Sequence, residues 1–266
     1  MFHIKTTQCF VTTHSPYIIE RFDPQQITVL KRNATGGVTG TNIKLSSVLK
    51  AKTYLKHVRK GLAEGMLSEG VIVAEGITEI SVLQAASQIM ESSDSSVTPL
   101  DLAGVTIISA DGDGSLSEFG QFFKSLEIPV FAFYDYKKRT DDENDKIEKS
   151  FDFVNETQYP GMEKLLATEV PIDHQWDLLC RYRESDVECK LGIPKERPKD
   201  EVMREHTVKV LKGGKGEGRS AELIRICAPN ELPNSVRSFL YRIYSIYSKS
   251  NSESETKEKA VLETMD

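Results

Sequence analysis

Strands and helices are predicted to alternate over residues 70–135, and this alternation limits the fold more than any other feature. Residues 77–90 and 115–126 carry apolar side chains at helical spacing. Short, mostly apolar segments separated by helices favour a parallel sheet covered on both faces. The sequence therefore predicts an α/β fold with three buried strands, at residues 71–74, 105–109 and 130–134.

The remaining segments differ from this core in composition and periodicity. Residues 9–13 and 27–31 have the pattern of short strands, and residues 45–67 predict one long amphipathic helix among many basic residues. Residues 138–149 are nearly all charged and predict an exposed helix or loop, followed by mixed helices. The tail, residues 249–266, is rich in Ser, Glu and Lys, which is a composition typical of disorder.

Composition and charge exclude several classes of protein. No apolar run approaches the roughly 18 residues that span a bilayer, and residues 1–8 lack the apolar core of a signal peptide, so we expect a cytoplasmic protein without a membrane role. The four cysteines form no CxxC pair, which disfavours a zinc site or a disulfide framework. The net charge of −6 means that nucleic-acid binding must be argued from a local site.

Acidic residues follow all three predicted strands. Glu75 comes directly after the first strand, and Glu79 lies one helical turn later. Asp111 and Asp113 follow the second strand, and Asp135 ends the third. Clustered carboxylates repel one another, and Mg²⁺ or Mn²⁺ would relieve that repulsion. Any one of these acids is better explained as a helix cap or a solvated loop residue. An acid at each of three consecutive strand ends favours a metal site instead.

The same residues resemble a Toprim domain, a fold that topoisomerases, primases and OLD (overcoming lysogenization defect) nucleases share. The resemblance rests on Glu75-Gly76 after an apolar strand, Gly112 after the second strand and Asp135 after the third. Two segments resemble the OLD family in particular: the paired glutamates of Glu-Gly-Ile-Thr-Glu at 75–79, and Leu-Lys-Gly-Gly-Lys-Gly at 211–216, which is similar to a late lysine motif. The resemblance covers roughly residues 8–248. It implies a Toprim-type, mostly parallel sheet flanked by helices, with an additional helical region and the disordered tail.

An ABC-type ATPase is implied by a second resemblance. Phe-Val-Thr-Thr-His-Ser-Pro at 10–16 resembles the switch-histidine strand of such ATPases, in which His14 would sense the terminal phosphate of the nucleotide. No GxxxxGK[ST] phosphate loop occurs in the sequence, so ATP binding is expected only if a missing ATPase half is supplied. The chain thus looks like a C-terminal fragment or one product of a split gene. The implied domains are an ATPase remnant (1–43), a connecting helix (44–68), a Toprim core (69–170), a helical region completing the site (171–248) and the tail (249–266).

The OLD resemblance also implies roles for single residues. Glu75, Glu79 and Asp135 resemble the family's metal-binding acids, with Glu75 also catalytic, and Glu163 resembles a later acid that completes a second metal site. Lys215 resembles the family's catalytic lysine. Without the resemblance, the better explanation for Glu163 is an ordinary first-turn helix residue, and for Lys215 a surface loop residue.

One departure from the Toprim pattern concerns the third strand end. Many Toprim proteins carry Asp-x-Asp there, whereas this chain has Asp135-Tyr136-Lys137. The change argues against a topoisomerase or a primase and requires Glu79 or Glu163 to supply the missing ligand. Asp111 and Asp113 are lower-ranked substitutes.

The implied function is hydrolysis of phosphodiester bonds in DNA with two Mg²⁺ or Mn²⁺ ions, in phage defence or DNA processing. The basic residues around 50–60 and the glycine–lysine loop are expected to contact backbone phosphates, with little sequence specificity. The expected partners are DNA, an ATPase half or a helicase-like protein, and a second copy of the chain. The alternative is a non-catalytic, Toprim-derived interaction module of a split ATPase-nuclease, which the Asp-x-Lys sequence favours. A primase or topoisomerase fragment would need a zinc module or a strand-passage tyrosine in context, and the sequence indicates neither.

Overall fold

A computed structural model of the protein describes residues 9–32, 36–43, 49–185, 190–214 and 218–263, with side chains except at residue 60 and residues 249–263. The strands are β1 (Thr28–Arg32), β2 (Val38–Asn42), β3 (Gly70–Ala74), β4 (Val105–Ser109), β5 (Val130–Tyr134) and β6 (Phe153–Glu156). The helices are α1 (Pro16–Ile19), α2 (Ala51–His57), α3 (Leu62–Gly65), α4 (Ile77–Ser93), α5 (Leu116–Ser125), α6 (Asp141–Ser150), α7 (Met162–Glu169), α8 (Ile172–Ser185), α9 (Asp200–Gly213), α10 (Arg219–Ile226) and α11 (Asn234–Glu263).

A parallel sheet of four strands forms the centre of the fold, in the order β4-β3-β5-β6. Val73 of β3 stands beside Ile108 of β4 and Ala132 of β5, so the three strands end at the same edge. The predicted α/β fold and its three predicted strands, β3, β4 and β5, are confirmed. The fourth strand, β6, pairs with β5 and was not predicted.

Helices cover both faces of this sheet, which explains why β3 and β5 are apolar at every position rather than at every second one. Ile72 and Ala74 of β3 pack with α4, α7, α10 and α11 on one face. Val71 and Val73 pack with α2, α3 and α5 on the other. On this second face α5 buries three phenylalanines, each of which contributes roughly 1.5–3 kcal/mol of stability: Phe119, Phe122 and Phe123.

Of the two strands predicted near the N-terminus, one is confirmed and the other was wrong. Residues 27–31 do form a strand, β1, because they pair antiparallel with β2. Residues 9–13 do not form one, and Phe10 is 84% exposed. A strand needs a neighbouring strand to accept and donate its backbone hydrogen bonds, and none pairs with these residues in the part of the chain that the structure describes. Assignment of this segment to an ATPase remnant stays a prediction.

The single connecting helix predicted for 45–67 was also wrong. The structure has α2, a 3₁₀ turn at Val58–Lys60 and then α3, with Gly61 between them at φ 126°. A Cβ at Gly61 would approach Cγ2 of Ile108 to 2.9 Å, so the close approach of the chain to β4 depends on glycine. Residues 44–48 of the predicted helix lie outside the described residues.

Apart from β6, the regular elements described after β5 are helices, as predicted. The charged segment forms α6, whose first turn is capped by Thr140: its hydroxyl oxygen accepts from the Glu143 N–H at 3.3 Å. The region 171–248 contains α8, α9, α10 and the first half of α11. The backbone of α11 continues into the tail, where disorder stays a prediction, as do the domain boundaries. None of the helices that the structure describes is long and apolar enough to cross a membrane.

Candidate metal centre

Two acids meet where β3 and β5 end. Glu75 directly follows β3 and Asp135 directly follows β5, and the two strands are parallel neighbours. The backbone N–H of Asp135 donates to Oε2 of Glu75 at 3.3 Å, and the N–H of Glu75 donates to the carbonyl of Phe133 at 3.2 Å. The parallel register therefore places these two carboxyl groups side by side at the edge where the strands end.

The other two acids reach this edge from the first turns of helices. Glu79 lies in the first turn of α4 and is 6% exposed, and Glu163 lies in the first turn of α7 and is 3% exposed. Each carboxylate folds back over a glycine. A Cβ at Gly76 would lie 3.0 Å from Oε2 of Glu79, and one at Gly161 would lie 3.2 Å from Oε2 of Glu163. Gly161 also has φ 139°, which disfavours any other residue.

The four acids act on one another electrostatically. Burial raises the pKa of Asp135 to about 8, assisted by the negative charges of Glu79, Glu75 and Glu163 and by a hydrogen bond with the Glu79 side chain. Burial likewise raises the pKa of Glu79, and the charges of Glu75 and Glu163 add to this effect. We call Glu75, Glu79, Asp135 and Glu163 the acid cluster. The structure thus brings together four of the five acids that were predicted as metal ligands, the fifth being Asp111.

The raised pKa of Asp135 predicts a pH-dependent stability. In chelator, the folded chain keeps a proton on Asp135 up to about pH 8, whereas the unfolded chain releases it near the ordinary value of 3.8. The stability that this proton contributes is full below the lower value and is lost as the pH rises through the higher one. Asp135→Asn cannot ionise, so its melting temperature should match that of the wild type near pH 4 and exceed it near pH 8–9. Calorimetric melts across this range test the expectation, and parallel curves for the two proteins contradict it.

The chemistry of the acid cluster fits a hard divalent cation. Its donors are carboxylate oxygens, which Mg²⁺ and Mn²⁺ prefer, and a cation would offset the repulsion that holds a proton near Asp135 and Glu79. In the described parts of the chain, no three acidic, His or Cys side chains stand in an arrangement that could hold one ion. Metal binding therefore requires these carboxylates to turn towards one another, replacing the Glu79–Asp135 hydrogen bond.

The two acids after β4 have cationic partners instead. The carboxylate of Asp111 lies 3.0 Å from Nζ of Lys56 on α2. Asp113 accepts from Nε of Arg139 at 3.2 Å and from Nζ of Lys137 at 3.3 Å. Burial alone would raise the pKa of Asp113, but the hydrogen bond and charge of Arg139 outweigh it and lower the pKa. Lys137, which replaces the second aspartate of Asp-x-Asp, thus pairs with Asp113, and a metal-binding role for Asp111 stays a prediction.

Two residues beside the acid cluster were missed at the level of sequence. Thr157, directly after β6, is 3% exposed; its hydroxyl donates to the Tyr159 carbonyl at 3.0 Å and lies 3.5 Å from Oδ1 of Asp135. Arg139 is nearly buried and also bonds Glu156. The signal for Thr157 was the apolar–polar alternation of Phe151-Asp152-Phe153, followed by Val154 and the polar pair Asn155-Glu156, which indicates a fourth strand end. For Arg139, nothing in the charged segment distinguishes one buried cation from its exposed neighbours.

Two predicted residues remain, His14 and Lys215. His14 is exposed, just before α1, and its nucleotide-sensing role stays a prediction. Lys215 lies outside the described residues. The described flanks of its loop are Gly213 and Gly214 at the end of α9 and Gly218, at φ 83°, before α10.

A comparison with known protein families matches the part of the chain that contains β3, β4 and β5. The family described as overcoming lysogenization defect protein-like, TOPRIM domain, matches residues 66–136. The chain contains an OLD-type Toprim region. The match spans β3 to β5 and includes Glu75, Glu79 and Asp135, whereas Glu163 and Lys215 lie beyond it. A search of curated proteins found no match. An OLD-type Toprim region indicates metal-binding or nuclease-like chemistry.

Proposed function

We propose that the chain is a Mg²⁺- or Mn²⁺-dependent nuclease that hydrolyses phosphodiester bonds in DNA with two metal ions. The observation that carries the proposal is the acid cluster: four carboxyl groups, two of them almost fully buried, meet at the carboxyl edge of a parallel sheet within an OLD-type Toprim region. Ligands of parallel α/β sheets bind at this edge. Burial of mutually repelling acids disfavours a metal-free resting state, so the arrangement is best explained by bound cations.

The proposed mechanism gives these residues separate roles. Glu75, Glu79, Asp135 and Glu163 would hold the ions. Bound divalent ions supply an activated water and stabilise the leaving 3′ oxygen. The N–H of Asp135 orients the carboxyl group of Glu75 through the hydrogen bond described above, and the Thr157 hydroxyl lies beside the carboxyl group of Asp135. Lys215 would offset the negative charge that develops on the phosphate.

Helix α2 is a candidate surface for the DNA backbone. Lys50, Lys52, Lys56 and Arg59 are exposed on or beside it. Contact of Lys56 with Asp111, just after β4, places this basic surface next to the edge of the sheet that carries the acid cluster. Lysine and arginine contacts to phosphates position a duplex without reading its sequence, so cleavage with low sequence specificity is expected. A role in phage defence or DNA processing is implied by the family resemblance.

Cleavage of supercoiled plasmid by the purified chain tests the proposal. Nicked or linear DNA should accumulate with Mg²⁺ or Mn²⁺ and should be absent in excess chelator, because the acids alone cannot activate water. Loss of cleavage at high salt is also expected, since binding depends on phosphate contacts. A chain that binds Mn²⁺ and DNA but leaves the plasmid intact would instead be a non-catalytic interaction module.

A further inference from the structure

Arg139 is a nearly buried cation beside the acid cluster. It lies four residues after Asp135, and its side chain is only 4% exposed although the surrounding segment is highly charged and mostly exposed. Burial of a guanidinium is costly unless hydrogen bonds and opposite charges compensate it. The position therefore depends on the partners that surround it.

Those partners come from the ends of three strands of the sheet. The guanidinium donates to Asp113, after β4, through Nε and Nη2, and to Glu156, at the end of β6, through Nη1. Nη2 also lies 3.5 Å from the main-chain oxygen of Asp135, after β5. The guanidinium stacks on the ring of Tyr134 at 4.9 Å. One planar group thus joins β4, β5 and β6 at the edge that carries the acid cluster.

Only arginine can make this set of contacts. Its five N–H donors form a rigid planar fork, so two carboxylates and a carbonyl can be bound in different directions while the flat face packs on a ring. A lysine ammonium would keep the charge but is a compact point charge without that planar fork. The arrangement therefore depends on geometry as well as on charge.

The network has two consequences for the acid cluster. It holds the backbone of Asp135, from which the metal-binding carboxylate projects. It also engages Asp113 and Glu156, which would otherwise add two negative charges and two competing ligands beside the cluster. Both effects define which carboxylates face the metal ions.

We infer that Arg139 is a positioning residue of the nuclease, which fixes Asp135 and keeps Asp113 and Glu156 away from the metal ions. The inference rests on the proposed function. Because the side chain is 4% exposed, it does not present its charge to DNA phosphates. Arg139 therefore acts on the cleavage step and leaves DNA affinity unchanged.

Arg139→Lys tests this role, because it keeps the charge and loses the fork. At saturating Mn²⁺, its single-turnover cleavage rate should fall about 10–100-fold, the scale of losing a residue that orients a metal ligand. DNA affinity and its salt dependence should stay at wild-type values. Arg183→Lys is the matched control, since Arg183 also lies over a ring, that of Trp176, and donates to the carbonyls of Pro194 and Lys195. A wild-type rate in Arg139→Lys, or a rate loss matched by weaker DNA binding, overturns the inference.

Electron paramagnetic resonance of bound Mn²⁺ separates this inference from the proposed function, because it reports on the ion without cleavage. The spectrum should change in Arg139→Lys and stay unchanged in Arg183→Lys. If the wild type binds Mn²⁺ but cuts no DNA, the nuclease proposal fails and the spectra still decide the role of Arg139. If the wild type cuts DNA and Arg139→Lys matches it in rate and spectrum, only the role of Arg139 fails.

Asp113→Ala provides a second variant if Arg139→Lys folds poorly. It removes the carboxylate that accepts from Nε and Nη2, and the Asp113 side chain is the more exposed member of the pair. A smaller loss of cleavage rate, with a changed Mn²⁺ spectrum and an unchanged circular dichroism spectrum, supports the inference. A wild-type rate and Mn²⁺ spectrum in this variant contradict it.

Discussion

Replacement of Glu75 or Asp135 by alanine is expected to lower metal-dependent cleavage by at least about 10³-fold, since several kcal/mol of transition-state stabilisation depend on the bound ions. Folding should survive, because removal of one carboxylate relieves repulsion within the acid cluster. Asp135→Ala should gain the most stability, since burial and three neighbouring acids raise the pKa of Asp135. Glu75→Ala should gain less, because it also removes the acceptor of the Asp135 N–H, worth about 0.5–1.5 kcal/mol.

Plasmid nicking and thermal melts, measured on the same preparations, check this expectation. Asp101→Asn is the control, because Asp101 is an exposed acid in the loop before β4, at the opposite edge of the sheet. It should keep wild-type cleavage and wild-type stability. Parallel losses of activity and melting temperature in Glu75→Ala and Asp135→Ala would mark these acids as structural and remove the basis for a metal site.

Lys215→Ala is expected to lower the single-turnover cleavage rate by on the order of 100-fold or more, the scale of losing one group that stabilises developing charge. The reason is chemical: the transition state of phosphodiester hydrolysis gains negative charge that the metal ions do not fully offset. An interaction made only in that state affects the rate and not the binding of substrate. Affinity for metal and DNA should therefore change little, since the acid cluster and the other phosphate contacts remain.

Lys212→Ala is the control for Lys215. Lys212 is exposed in the last turn of α9, carries the same charge and lies outside the glycine–lysine motif. Equal, modest losses in both variants, relieved by lower salt, would make Lys215 a backbone-binding residue. The neighbouring Gly214 is unsuitable as a probe of the loop, because a Cβ there would overlap the side chain of Arg219.

Strands β3 and β5 were predictable from sequence because they are buried on both faces. Such strands are apolar at every position, and α5, which precedes β5, has clear amphipathic periodicity. Strand β6 was missed because its last three positions are only half-buried, which removes the continuous apolar signal. The 45–67 segment was misjudged because helical periodicity continues across Gly61, whose conformation is decided by contact with Ile108.

Within the site, the sequence determined which acidic residues are candidates for metal binding. The tertiary structure decided which of them lie together. The order of strand and acid along the chain was enough to predict that Glu75, Glu79 and Asp135 lie at one edge, because parallel strands end together. The same reasoning placed Asp111 and Asp113 there equally well. Only the folded chain distinguishes them, since Lys56 and Arg139 come from distant segments to neutralise those two acids while Glu163 joins the others. The physical reason is that electrostatic interaction depends on distance and burial, which are set by packing between segments far apart in sequence.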